Sequence, residues 1–262
     1  MKSIHKLAAI AVAMAFTLNA QADINIGVMV STTGPGATLG IPEQNTVKLW
    51  PTEIAGQKLN VTVLNDASDT TTAAKNATKL ISEDNVDVIV GPSLTPTSLA
   101  ALDVAAKAKT PMISLAGGDS IIYPADGPRR WAFCMAAPAS VAVNFAIEDM
   151  LSTGVKKVGV IALATSFGED YTKAFEKAAA TKGVTVVAVE RYNQTDTSVT
   201  AQVLRLLAAQ PDAVYVVSSG TPGVLPPIEL SQRGFKGPVY QTQGVANADY
   251  LRVGGKGVEG NY

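Results

Sequence analysis

Short Val/Ile-rich runs recur along this chain with room for one helix between each pair, and that alternation limits the fold more than any other feature. Residues 23–30, 59–64, 86–90, 111–115, 157–163, 184–190 and 213–217 are apolar segments of strand length. Runs of this kind fit parallel strands covered on both faces. Between them, residues 71–84 set Ala74, Ala77, Leu80 and Ile81 on one helical face, and residues 97–109 do the same with Ala100, Ala101, Val104 and Ala108. Residues 138–152, 168–182 and 197–210 continue the helical series. Alternation of this sort predicts an α/β fold of doubly wound parallel sheets. A stretch rich in Pro, Gly and charge at residues 124–130, a strand at 131–135 and a helix opened by Pro138 mark a seam. The expected organisation is one lobe over residues 23–138 and a second, on the same plan, over 139–262. A cleft between two such lobes suits a small molecule.

The first 22 residues do not belong to this pattern. Lys2, His5 and Lys6 precede an apolar run over residues 7–18, which is too short to span a bilayer as a helix. Ala20-Gln21-Ala22 follows as a small-x-small cleavage signal. The segment reads as a secretory leader removed before Asp23, and the expected destination is the periplasm. His5 is the chain's single histidine and Cys134 its single cysteine. The mature chain therefore has no histidine for a Ser-His-Asp or Cys-His nucleophile or for a zinc site, and no internal disulfide. With 21 basic against 22 acidic residues the full chain lacks the clustered positive charge that nucleic acid requires. No cofactor is expected.

The loops that follow the strands share a character. Residues 31–40, 91–97, 114–119, 164–168, 218–222 and 241–247 are rich in Gly, Ser and Thr and poor in charge. In open α/β sheets such loops form the ligand crevice, and exposed N–H groups beside hydroxyls make a carboxylate site. The competing reading of each hydroxyl is that it only caps a helix. Gly34, Gly36 and Gly40 imitate a dinucleotide fingerprint, but the spacing is wrong and Pro35 interrupts the turn, so no nucleotide is expected. The carboxylate pairs Glu83-Asp84, Glu148-Asp149 and Glu169-Asp170 lie among lysines and read as solvated helix faces. Cys134 alternates on a strand and reads as a quiet thiol. No catalytic constellation is visible, and an enzyme is not expected.

Several motifs taken together carry a resemblance. Ile26-Gly-Val-Met-Val-Ser-Thr-Thr-Gly-Pro35, Asn65-Asp-Ala-Ser-Asp69, Val90-Gly-Pro92, Pro111-Met-Ile-Ser114, Phe167-Gly-Glu169 and Gly244-Val-Ala-Asn247 resemble, in order and spacing, the periplasmic leucine/isoleucine/valine-binding protein family. The likeness runs over residues 23–262. It implies a type I periplasmic binding fold, with two lobes joined by three crossings and a ligand clamped by hinge closure. It implies a non-enzymatic receptor that delivers a branched-chain amino acid or a related small carboxylate to the membrane permease–ATPase complex of an ABC-type importer. The mature receptor is expected to be a monomer. The alternative is a sensor or chemoreceptor module of the same fold.

The resemblance also nominates site residues. Thr95, with Ser93 beside it, aligns with the hydroxyl that meets the ligand carboxylate. Ala116 and Gly118 align with the backbone carbonyl and amides of the next loop, and Gly118 lacks the hydroxyl the family usually has there. Phe167 stands for an aromatic ring of the second lobe, and Leu39 for an aromatic of the first. Gln243 stands where amino-acid receptors carry the carboxylate that grips the ligand ammonium. A buried ammonium needs a charged or dense set of acceptors, so this change favours a carboxylate without the amine. Asp119 is a candidate for the missing charge. Family members commonly continue past the segment matching residues 257–262, which implies a truncated chain without the return segment to the first lobe and with apolar faces left uncovered.

Overall fold

The computed structural model describes residues 23–262, so the leader expected over residues 1–22 lies outside the described residues. The first lobe is built on a six-stranded sheet. Strand β1 (Ile24–Val30) pairs in parallel with β3 (Gln57–Asn65) on one side and with β4 (Val88–Val90) on the other. Beyond β4 come β5 (Met112–Ser114) and β6 (Ala132–Cys134), also parallel. The short β2 (Glu53–Ile54) pairs antiparallel with β3 at the edge. The second lobe has four parallel strands: β7 (Lys157–Leu163), β8 (Thr185–Tyr192), β9 (Ala213–Val217) and β10 (Val239–Gln241), in the spatial order β10-β9-β7-β8. In each lobe the first parallel strand has the second on one side and the third on the other. The switch points that hold ligands in such sheets therefore fall between β1 and β4 and between β7 and β9. Among the described residues the chain passes from the first sheet to the second once, after β6.

Nine helices cover the sheets among the described residues: α1 (Ala37–Val47), α2 (Thr70–Ser82), α3 (Thr95–Ala108), α4 (Asp119–Ile122), α5 (Ala139–Ser152), α6 (Ser166–Lys182), α7 (Thr200–Ala208), α8 (Leu225–Gln232) and α9 (Ala248–Gly254). None of the described helices is long and apolar enough to cross a membrane. The strand and helix alternation read from the sequence is present, but the buried faces are rotated. Helix α2 buries Ala73, Ala77 and Leu80, with Ala73 in place of the expected Ala74. Helix α3 buries Ser98, Ala101, Leu102 and Ala105, where Ala100, Ala101, Val104 and Ala108 were expected. The reason is polar. Ser98 Oγ lies 2.8 Å from Ser114 Oγ at the end of β5, so a serine belongs to the buried stripe. Helix α1 starts inside the stretch expected to be loop. It buries only Gly40 and carries Pro42, so it shows no apolar period to read.

The two sheets are packed unequally. In the second lobe one core (Val158, Val160, Phe175, Tyr215) lies under α5 and α6, and another (Ile161, Val203, Leu206, Val216) lies under α7 and α8. The first lobe has a single large core, with Met29, Leu80, Ile89, Leu102 and Met112 at its centre. Strand β3 stays half-exposed along most of its length.

Candidate ligand-binding site

The C-terminal ends of the strands in both lobes face one cavity of about 110 Å³. The lips of the cleft touch. A Cβ on Gly220, after β9, would lie 2.4 Å from the carbonyl oxygen of Pro35, after β1, and the backbone at Gly220 adopts φ +67°, which glycine tolerates. Six of the seven residues nominated from the sequence line this cavity: Leu39, Ser93, Thr95, Ala116, Phe167 and Gln243. Gly118 does not line it and stands behind Thr95. A Cβ there would meet Thr95 Cγ2 at 2.4 Å and Asp170 Oδ2 at 2.7 Å, so the tight fit accounts for the glycine where the family has a hydroxyl.

The two nominated hydroxyls differ. Ser93 Oγ donates to Glu43 Oε2 and accepts from the Ser31 N–H at 2.9 Å, so its hydrogen is already committed. Thr95 is the first residue of α3; the residue before it, Leu94, makes no side-chain cap, and Thr95 caps nothing. Its Oγ1 is buried and has no hydrogen-bond partner. A buried polar atom left this way costs about 1–3 kcal/mol unless something meets it. Nearby, the Ala116 N–H is taken by Ser114 Oγ at 3.1 Å, so Ala116 offers its carbonyl and not an amide. The amides of Gly117 and Gly118 donate to no described residue. By contrast, the loop before α6 shows the plain capping role, with Thr165 Oγ1 accepting from the Gly168 N–H at 3.4 Å.

The opposite wall comes from the second lobe. The rings of Phe167 and Tyr171 lie with centroids 4.5 Å apart. Gln243 Nε2 donates to the Tyr171 hydroxyl and, at 3.3 Å, to the Ala137 carbonyl, which leaves no described partner for its Oε1. Burial pushes the Tyr171 hydroxyl up to about 12, so it stays neutral. Sequence reasoning missed Glu43, the one ionisable side chain lining the cavity. It sits four residues after Leu39 on α1, so reading that helix would have put both on one face. Burial raises its carboxyl above the usual range; the Ser93 hydrogen bond lowers it, and nearby Asp66 raises it further.

Asp119 does not reach the cavity. It receives the Ser140 N–H and hydroxyl, each at 3.2 Å, at the start of α5. Asp170, expected on a solvated face, instead accepts from the Ser120 N–H at 3.0 Å and the Ser120 hydroxyl at 2.6 Å, tying α6 to the first lobe. Asp149 likewise accepts from the Tyr240 hydroxyl at 2.8 Å. Glu169, Glu148 and Asp84 pair with Arg191, Lys182 and Lys79. Burial pushes the Cys134 thiol up to about 11, so it stays protonated at neutral pH. The glycine pattern after β1 also has a packing cause. A Cβ on Gly40 would sit 2.2 Å from the Ser31 carbonyl oxygen, so the glycine lets α1 approach the strand end.

Comparison with known proteins places this architecture. An extracellular ligand-binding receptor from Rhodopseudomonas palustris HaA2 is 45% identical with a TM-score of 0.88, over 91% of this chain and 66% of that one. A solute-binding protein of an ABC transporter from Rhodopseudomonas palustris BisB5, solved with 3,4-dihydroxybenzoic acid, is 25% identical with a TM-score of 0.80, over 90% of this chain and 66% of its own. Leu/Ile/Val-binding protein homolog 3 of Brucella melitensis is 25% identical over 260 residues, 96% of this chain and 70% of that protein. The chain thus spans about two thirds of these proteins' length. The model described as "Periplasmic binding protein" matches residues 23–262, and the chain belongs to that family.

Proposed function

We propose that this chain is a periplasmic solute receptor of an ABC-type importer that binds a small carboxylate without an α-amino group and presents it to a membrane permease–ATPase complex. The observation that carries the reading is the buried, unpartnered hydroxyl of Thr95 beside the undonated amides of Gly117 and Gly118. Of these donors, the Thr95 O–H, at the start of α3, and the Gly117 N–H belong to residues that line the cavity, and such a set suits a carboxylate. Gln243 lines the cavity with its Oε1 unpartnered among the described residues and brings no charge for an ammonium. Leu39 and Phe167 supply apolar cover, and the Ala116 carbonyl is a further acceptor. Lobes 23–138 and 139–262 part to admit the ligand and close on it. Of the relatives' ligands, the aromatic acid of the Rhodopseudomonas protein fits this wall better than a branched-chain amino acid, and a cavity of this size holds one small ring.

The test is a thermal-shift panel of small aromatic and aliphatic acids alongside leucine, isoleucine and valine, with native mass spectrometry of the protein purified from the periplasm. The expected result is stabilisation by acids lacking an amine and recovery of such an acid. Stabilisation by the branched-chain amino acids alone would overturn the ligand class.

A further inference from the structure

Glu43 is the feature of the cleft that a carboxylate receptor leaves unexplained. The cavity holds no lysine or arginine, yet one carboxyl group lines it. Glu43 Oε2 is fixed by the Ser93 hydroxyl, which is itself anchored by the Ser31 N–H at 2.9 Å. Oε1 has no partner among the described residues. A residue needed only to hold Ser93 in place could do so from outside the pocket. Behind it, the buried Asp66 accepts from the Ser31 hydroxyl at 2.6 Å, so the wall that holds Glu43 is acidic and rigid.

We propose that Glu43 is a specificity-determining residue that accepts a hydrogen bond from a hydroxyl of the ligand, so that the site selects hydroxy-substituted small carboxylic acids over the same acids without the hydroxyl. The inference rests on the carboxylate reading above. In a cavity of about 110 Å³, a ligand whose carboxylate meets Thr95 has its remaining atoms near Glu43. A plain acid bound there strips water from Glu43 and returns nothing, and its own charge repels the carboxylate. A hydroxyl donated to Oε1 leaves that repulsion in place but offsets it, and the lost water, with a charge-assisted hydrogen bond. Sites built to pair with a substrate hydroxyl reject the analogue lacking it far more strongly than apolar pockets discriminate by size. The raised affinity of Glu43 for its proton, caused by burial, lessens the like-charge penalty in the bound state.

The experiment is calorimetric titration of the full chain with two matched pairs: 4-hydroxybenzoate against benzoate, and 2-hydroxyisocaproate against isocaproate. Leucine is the amine-bearing control. Wild type is expected to prefer the hydroxy acid of at least one pair by about 30-fold or more, on the scale of one well-made polar contact. Glu43→Met should cut that preference about tenfold, mostly by gaining affinity for the plain acid. Glu43→Gln keeps an acceptor without the charge and should retain an intermediate preference, which also guards against a variant that merely misfolds. Equal binding within both pairs by wild type would overturn the proposal and leave the receptor reading standing. So would an equal loss for both members of a pair in Glu43→Met, since Glu43 would then only prop Ser93. Binding of leucine alone, or of no acid, would remove the carboxylate reading and this inference with it.

Discussion

The two lobes repeat one strand order and use it differently. The second sheet is sandwiched between two apolar cores, and several polar groups at its ligand end pair with one another, although Ser166 Oγ and Gln241 Oε1 there have no partner among the described residues. Tyr192 donates to Ser218 Oγ at 2.8 Å, Thr242 Oγ1 accepts from the Ser218 N–H at 3.1 Å, and Gln243 meets Tyr171. The first sheet has one main core and ends in a wall of buried polar residues: Ser31, Asp66, Ser93 and Thr95. On that wall some valences stay open, at Thr95 Oγ1 and Asp66 Oδ2. An internally satisfied network rigidifies a site, and an open one is where a ligand gains free energy. Topology alone therefore does not assign roles: the same strand order carries a doubly packed sheet in one lobe and a singly packed one in the other.

The strongest way to break that comparison uses the glycines that occupy equivalent places in the two lobes. Each sits where the helix after the lobe's first strand meets the strand end. A Cβ on Gly168 would lie 1.8 Å from the Leu163 carbonyl oxygen, and one on Gly40 2.2 Å from that of Ser31. Helix α6 cannot move away easily, because Phe175 stacks on Tyr215 with centroids 4.8 Å apart inside the core. Gly168→Ala should therefore cost about 3 kcal/mol or more in denaturant unfolding, the upper range for overpacking. Helix α1 buries only its glycine and has room to shift outward. Gly40→Ala should cost about 1 kcal/mol while displacing Leu39 and Glu43 and weakening ligand binding. Equal losses of stability in the two variants would show that the lobes are not unequal in the way argued.

A pair of hydroxyls sharpens the same contrast with smaller effects. Thr95→Val removes an unpartnered buried hydroxyl without changing shape. Stability of the ligand-free protein should hold or rise by up to about 1 kcal/mol, while carboxylate binding weakens by about 2 kcal/mol, the scale of a hydrogen bond to a charged group. Thr242→Val in the other wall breaks bonds to both the N–H and the carbonyl of Ser218. It should lower stability by about 1–3 kcal/mol with little change in affinity. Urea unfolding and titration calorimetry on the two variants check both halves, and a stability loss in Thr95→Val would mean its hydroxyl already has a structural partner.

These contrasts mark how far the sequence could be read. Among the described residues, eight of the ten strands and five of the nine helices were legible because their apolar residues recur at the periods of buried structure, as in β7 and β9; the short β2, β10, α4, α8 and α9 were not read. Helix α1 was not read either, because a helix that lines a cleft instead of a core shows no apolar period, and Glu43 was hidden with it. The stripe of α3 was misplaced because one of its buried positions is Ser98, which pairs with Ser114 across the chain. The site loops could be listed from their composition, but composition could not say that Ser93 is spent on Glu43 while Thr95 is free. Nor could it lift Asp170 off the helix surface, since its partner Ser120 lies 50 residues away.

Asp170 supplies the smallest and most specific test, because it joins the lobes. Its carboxyl sits above its ordinary value. Burial is the leading cause, the hydrogen bonds from Ser120 oppose it, and the neighbouring Asp119 adds to it while Lys173 opposes. A group whose folded state holds its proton more tightly than the unfolded state stabilises the fold while protonated. That contribution is full below the ordinary aspartate value and is lost as pH rises through the raised one. The difference in melting temperature between wild type and Asp170→Asn should therefore shift against wild type as pH increases from below 4 toward neutrality. Carboxylates held below their usual range, such as Glu169 beside Arg191, act in the opposite direction and cancel in the subtraction, so the comparison isolates one contact. If wild type instead gains on the variant as pH rises, the Ser120 hydrogen bonds to the ionised carboxylate outweigh its burial. The tie between α6 and the first lobe would then be a stabilising clasp at neutral pH, and the second lobe would share its rigidity with the wall that binds.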